Sequence, residues 1–185
     1  MDDAELRLTG TDTLSLTSEL SNVSSYTMPA ESTTNFSTTS GYTTDGHTCS
    51  SDINIGCWYN YYSATAGTIS SSSNATPASS DICPSGWHLP TGPNTTSGTD
   101  FNKLIGNTTS GNQASTTGGL PYFNGVTGGY INDGTAVGTT TGGWWSANYA
   151  QATSRFLLTY NSSTFNGGSY ATRVYGYFVR CVKSS

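Results

Sequence analysis

Four cysteines, two histidines and a thin supply of acids are the residues with chemistry to offer in this chain. Cys49, Cys57, Cys83 and Cys181 form an even set in a sequence rich in Ser, Thr and Gly, which points to two disulfides and an oxidising compartment. Three pairings are open. The spacing favours a local Cys49–Cys57 loop and a long Cys83–Cys181 closure, the latter worth roughly 4–5 kcal/mol by loop entropy. Zinc is the rival use of cysteine, but no Cys-x-x-Cys pair occurs, and His47 and His88 are not at finger spacing. Neither histidine has an acid at a telling spacing and no Ser/His/Asp constellation stands out, so catalysis is not expected. "YINDGTA" brings Asn132 and Asp133 together, and one carboxylate is too little charge for a strong Ca²⁺ site. No cofactor is expected; a structural Ca²⁺ at that pair is the one alternative left open. The six Asn-x-Ser/Thr matches are what chance supplies in so Ser/Thr-rich a chain.

Composition narrows the class of partner. With 185 residues, the chain suits one sizeable domain, or one domain with an N-terminal extension. Charged residues are 9%, against about 25% in an average soluble protein. Ser and Thr fill about a third of the chain, yet aromatics stand at 12%. Disordered segments are poor in aromatics, so a true core inside a polar, loop-rich surface is expected. A net charge of -5 argues against nucleic acid. All 11 acids lie at or before Asp133, and Arg155, Arg173, Arg180 and Lys183 follow it, so the last third is mildly basic and aromatic. No apolar run approaches the ~20 residues of a membrane span, and no membrane insertion is expected. "MDDAELRLTG" lacks the apolar centre of a signal peptide, so export would need another segment, a larger parent chain or passage on a virus particle.

These residues must be positioned by short elements. Residues 1–48 read as short strands and loops, either an extension or part of the same domain as 49–185. "CWYNYYSATAG" predicts a strand leading into a short helical turn, and Thr68–Ser80 a low-complexity loop. "DICPSGWHLPTG" is punctuated by Pro84, Gly86 and Pro90. "GTDFNKLIGN" predicts a short helix, with Thr99 as cap, Phe101, Leu104 and Ile105 on one face, and Gly106 at its end. Residues 107–141 predict long structured loops, and strands return from "GGWWSANYA" onward. Trp87, Trp144 and Trp145 suit a core better than a ligand platform. The class expected is a small α+β domain.

The closing stretch "YATRVYGYFVRCV" is apolar on both faces. One face carries Tyr175, Tyr177, Val179 and Cys181; the other carries Val174, Phe178 and Val182, with Thr172 and Arg180 among them. A half-buried strand has one polar face. Either the second face is covered, with Val174 and Phe178 lying under the 107–141 loop, or it is a binding surface.

Four ordered blocks, "YYSATAGT", "ICPSGWHLPTG", "GGWWSA" and "YGYFVRCV", resemble the Fibrobacter succinogenes major paralogous domain family, strongly over about residues 57–182. The resemblance implies a C-type lectin-like fold, with paired terminal strands, one or two short helices beside a small sheet, and long structured loops. Similar domains serve as the variable proteins of diversity-generating retroelements, in which adenines near the 3′ end of a gene are rewritten. The rewritten stretch here would run from about Trp144 to Cys181. The Glu-Pro-Asn or Gln-Pro-Asp triplet of calcium-dependent lectins is absent.

If Cys181 turns inward to Cys83, period two turns Val179, Tyr177 and Tyr175 inward as well, and Thr172, Val174 and Phe178 outward. The family pattern implies Phe156, Leu158 and Tyr160 inside, with Arg155, Leu157 and Thr159 outside. Together with Asn148, Tyr149 and Tyr170, these outward residues would form one aromatic patch with single arginines, a mix suited to binding. The expectation is a non-catalytic, extracellular recognition module on a cell surface or virus particle, binding a protein or cell-surface ligand as a monomeric domain of a larger assembly. The alternatives are a surface-coat module and a metal-independent carbohydrate binder.

Overall fold

A computed structural model describes residues 3–5, 47–52, 55–66, 76–105, 112–114, 127–132, 135–151, 154–161 and 164–184. In chain order these contain β1 (Asp3–Glu5), β2 (His47–Cys49), β3 (Cys57–Tyr59), α1 (Tyr61–Ala64), β4 (Trp87–His88) and α2 (Asp100–Leu104). They continue with β5 (Asn112–Ala114), β6 (Tyr130–Asn132), β7 (Thr135–Val137), β8 (Thr141–Gln151), β9 (Ser154–Asn161), β10 (Thr164–Thr172) and β11 (Arg180–Lys183). The protein is therefore mostly β-sheet with few, short helices. Most of residues 1–46, the Thr68–Ser80 loop up to residue 75, and most of 106–126 lie outside the described residues.

The largest sheet runs β5-β10-β9-β8, and a second runs β1-β11-β4. Both are antiparallel throughout. β1 lies against the last strand, Ala4 opposite Cys181. β2 and β3 pair so that Cys49 faces Cys57 in register. That pair is bridged, as is Cys83–Cys181, whose separation is 98 residues. Both pairings are those the spacing favours, and both bridges together place the folded protein in an oxidising environment.

The helices form where local chemistry supports them. Asn60 caps α1, its side chain accepting from the Ser63 amide at 2.7 Å. Thr99 caps α2 in the same way, accepting from the Asn102 amide. Each is about one turn long, too short to stand alone, so packing must hold it. Phe101 and Ile105 are buried and Leu104 packs beside them, as the sequence predicts.

The core has two parts, one on each face of the β8–β9 pair. Trp145 and its cross-strand partner Leu157 belong to the first, with Tyr59, Tyr61, Leu89, Tyr177, Val179 and the Cys83–Cys181 bridge. Trp144 and its partner Leu158 belong to the second, with Trp58, Phe101, Ile131, Phe165 and Phe178. Successive side chains on a strand point to opposite faces, so "WW" facing "LL" is the pattern of a strand pair buried on both sides.

The closing stretch obeys the same rule. Residues 176–178 run beside β8, with Trp145 N donating to Phe178 O and Phe178 N to Gly143 O. Their other side meets Tyr59 and Ile131. The segment is thus interior. Tyr177, Val179 and Cys181 enter the first core and Phe178 enters the second. Gly128 shows how close the cover lies: a Cβ there would sit 2.6 Å from Ile55 Cγ2 and 2.8 Å from Phe178 Cζ.

Candidate binding surface

The expected outward set divides in two. Asn148, Arg155, Leu157 and Phe178 are buried, none more than 4% exposed, which corrects their placement on a surface. The physical reasons differ. Phe178 is stacked on Trp58 at 5.7 Å between ring centroids and lies against Trp144 at 6.0 Å. Leu157 packs in the first core opposite Trp145. Asn148 is a strut: its Oδ1 accepts from the Gly92 amide at 3.0 Å and ties β8 to the 91–99 loop.

Arg155 is the least expected of the four. Its guanidinium lies over the Tyr61 ring, 4.9 Å from the centroid. Its Nη1 donates to the carbonyls of Ser154 at 2.9 Å and Gln151 at 3.2 Å. Burial pulls its pKa below the ordinary arginine value; Tyr61 opposes this and the like charge of Arg173 adds to it. Arg173 itself lies over Tyr62 at 5.2 Å. The Tyr61–Tyr62 run of α1 thus seats two arginines from the last third of the chain, and Tyr61 N donates to Arg173 O at 3.0 Å. Sequence reasoning missed Arg173 as a neighbour of the site, although a tyrosine pair facing an arginine-bearing aromatic segment was the available signal.

The remainder stays at or near the surface. Tyr170 is 58% exposed, the exposed large hydrophobic side chain among the described residues. It sits opposite Phe156 in the β9–β10 register, and Thr172 opposite Ser154. Thr172, Arg173 and Val174 follow it, each half-buried. Phe156 and Tyr160, expected inside, are half-buried too. Thr159 is half-buried and committed to its own sheet: its hydroxyl lies 3.0 Å from Ser169 Oγ. Tyr149 pairs with Arg155 along the backbone, and its side chain lies outside the described residues. The surviving patch is therefore Tyr170, Thr172, Arg173 and Val174 with Phe156 beside Tyr170, at one end of β9 and β10, while Ala171 packs against the first core.

β10 is shaped to present this end. Its register slips between Asn166 and Ser169, where Gly167 and Gly168 form a bulge. Asn166 Oδ1 accepts from the Gly168 amide at 2.8 Å, and Gly167 O accepts from Asn94 N at 3.2 Å. A Cβ at Gly167 would meet Asn94 Cβ at 2.8 Å, so only glycine allows this approach.

Three tyrosines line the neighbouring turn. Tyr130 stacks on both Tyr175 and Tyr177, and Tyr177 meets Trp145 edge-on at 5.0 Å. Burial, followed by Tyr130 and Tyr175, pushes the Tyr177 phenol well above its ordinary pKa, so it stays protonated.

All four cysteines are consumed in disulfides, which leaves no thiolate for zinc. Among the described residues no group of three or more His, Cys, Asp or Glu is placed to hold a metal ion. Asn132 ends β6, and its expected companion Asp133 lies outside the described residues. No helix among the described residues is long and apolar enough to cross a membrane. One constellation that spacing did not reveal is present: His88 lies between Asp100 and Ser184, in hydrogen-bond contact with both. Comparison with protein-family models, with curated proteins and with solved structures finds no match for this chain.

Proposed function

We propose that this chain is a non-catalytic recognition module, a C-type lectin-like scaffold of the Fibrobacter succinogenes major paralogous type. On this reading it presents Tyr170 and Thr172 of β10, with Arg173 and Val174 of the turn that follows, to a protein or cell-surface ligand outside the cell or on a virus particle. The observation that carries the reading is Tyr170. A large aromatic side chain stands exposed on β10, whose partner strand β9 is fixed by Leu157 in one core and Leu158 in the other. Rigid tyrosines flanked by small polar residues and an arginine supply contact area at low entropy cost. The scaffold beneath tolerates change at Tyr170, because substituting an exposed position alters no core volume.

The same arrangement supports diversification, now with a sharper pattern. In a retroelement-diversified gene, a near-copy of the codons for Trp144–Cys181 lies nearby and differs mainly at adenines. Changes are expected at codons for Tyr170, Thr172, Arg173 and Val174, and not at those for Trp144, Trp145, Leu157, Leu158 or Phe178. Sequencing the flanking DNA tests this. Lack of such a copy, or substitutions concentrated at the buried codons, overturns diversification. A Tyr170→Ser variant that changes assembly state in sedimentation would instead favour a surface coat.

A further inference from the structure

Beyond the recognition reading, and independent of it, we propose that Ser184 is a nucleophilic acyl-acceptor site, activated by His88 with Asp100 as the orienting carboxylate. The three residues come from different elements. His88 is the last residue of β4, Asp100 the first of α2, and Ser184 follows β11. The β4–β11 register sets Val182 opposite His88, and Ser184 N donates to Gly86 O at 2.9 Å, so the serine backbone is held beside the imidazole.

The hydrogen bonds have a definite direction. Asp100 Oδ2 accepts from Thr91 N at 2.9 Å and from Thr91 Oγ1 at 2.8 Å, and His88 Nε2 lies 3.0 Å from the same oxygen. Burial opposes ionisation of Asp100, but these hydrogen bonds outweigh it and hold its carboxyl below the ordinary value. An ionised carboxylate only accepts, so Nε2 carries the proton of the neutral ring. Nδ1 then presents its lone pair to Ser184 Oγ, 3.0 Å away, and the hydroxyl donates. This is the contact of a serine with its general base, within the reach such pairs require. The ring nitrogens are used in the opposite order from the serine-protease template. Ser184 is exposed, so an acyl donor has access to it.

The ligand class is an activated ester or thioester. Ser184 Oγ forms a bond to the acyl carbon as its proton passes to His88 Nδ1. The bond from that carbon to the leaving oxygen or sulfur breaks, and the leaving group takes up the proton from His88. The acyl group remains on Ser184 as an ester.

Incubating the whole protein with p-nitrophenyl acetate and mapping acetylated serines by mass spectrometry tests this. Ser184 is expected to label about 10²-fold faster than Ser85 and Ser97, which are exposed but are not bonded to a histidine. His88→Gln is expected to bring Ser184 down to their rate while leaving theirs unchanged. Equal labelling of Ser184, Ser85 and Ser97 in the unaltered protein overturns the proposal, as does a Ser184 rate unaffected by His88→Gln. The comparison within the unaltered protein decides the matter even if the variant does not fold.

Discussion

Phe178 lies face to face with Trp58, 5.7 Å between ring centroids, and so joins the closing segment to β3 on the side away from the Cys83–Cys181 bridge. The contact explains why the last stretch is apolar on both faces. It is clamped between two cores, one containing its own disulfide.

Truncation should separate the two faces from the exposed end. Phe178→Ala is expected to cost about 3–5 kcal/mol, the range for a phenylalanine removed from a core. Tyr170→Ser should change stability by no more than about 0.5 kcal/mol, as for exposed positions generally. Urea unfolding midpoints of the two variants check this; equal losses would contradict the two-core arrangement.

The two disulfides should differ in worth. Loop entropy assigns about 2.5 kcal/mol to the short Cys49–Cys57 closure and about 4.7 kcal/mol to the long Cys83–Cys181 closure. Paired Cys→Ser variants of each bridge, unfolded in denaturant, should rank in that order. The long-bridge variant should also lose more protection from hydrogen exchange in β4 and β11, the strands adjoining its ends.

Asp100 should make stability depend on acid. Its folded pKa lies below the ordinary 3.8, because the bonds from Thr91 and His88 outweigh burial. A depressed carboxyl contributes stability that is fully present above the unfolded value and is lost as pH falls through the folded one. Unfolding midpoints measured downward from pH ~5 should therefore fall, and Asp100→Asn should flatten that part of the curve. A variant that keeps the full acid dependence would show that other carboxylates are responsible.

The cover over Phe178 should tolerate no added volume. Gly128→Ala places a methyl 2.6 Å from Ile55 Cγ2 and 2.8 Å from Phe178 Cζ. Overpacking of this kind costs about 1–3 kcal/mol. Gly86→Ala has open space around the new Cβ but a φ of +82°, so its cost is backbone strain alone, about 1–2 kcal/mol. Thermal unfolding with a Phe178→Leu background distinguishes them: the smaller side chain should relieve part of the cost of Gly128→Ala, the Ile55 contact remaining, and leave Gly86→Ala unchanged.

Much of the framework was legible in the residues themselves. Thr99 as a cap, the Phe101–Ile105 face, the strand-to-turn reading of residues 57–66 and the inward run Tyr177–Val179–Cys181 all follow from local rules. A cap needs one side-chain oxygen and the backbone a turn away, and an inward face needs only period two. The cysteine pairing was legible because loop lengths differ so widely, 8 residues against 98.

The binding surface was less legible, because alternation shows that two faces differ without saying what covers either. Arg155 and Leu157 look outward from β9 until α1 and Trp145 are set against them. Asn148 looks like a surface amide until the Gly92 amide is set against it. His88, Asp100 and Ser184 share no spacing that a reader of sequence would notice.

Sequence alone thus determined the helix cap, the oxidised cysteines and a closing segment too apolar to be an ordinary edge, but not β5, β6 and β7, which lie in the stretch 107–141 that reads as loops. Tertiary structure alone decided that the second face of the closing segment is interior, because Trp58, Ile131 and Gly128 reach Phe178 from distant parts of the chain and exclude water from it. Burial depends on which surfaces meet, and no single stretch of residues contains both of them.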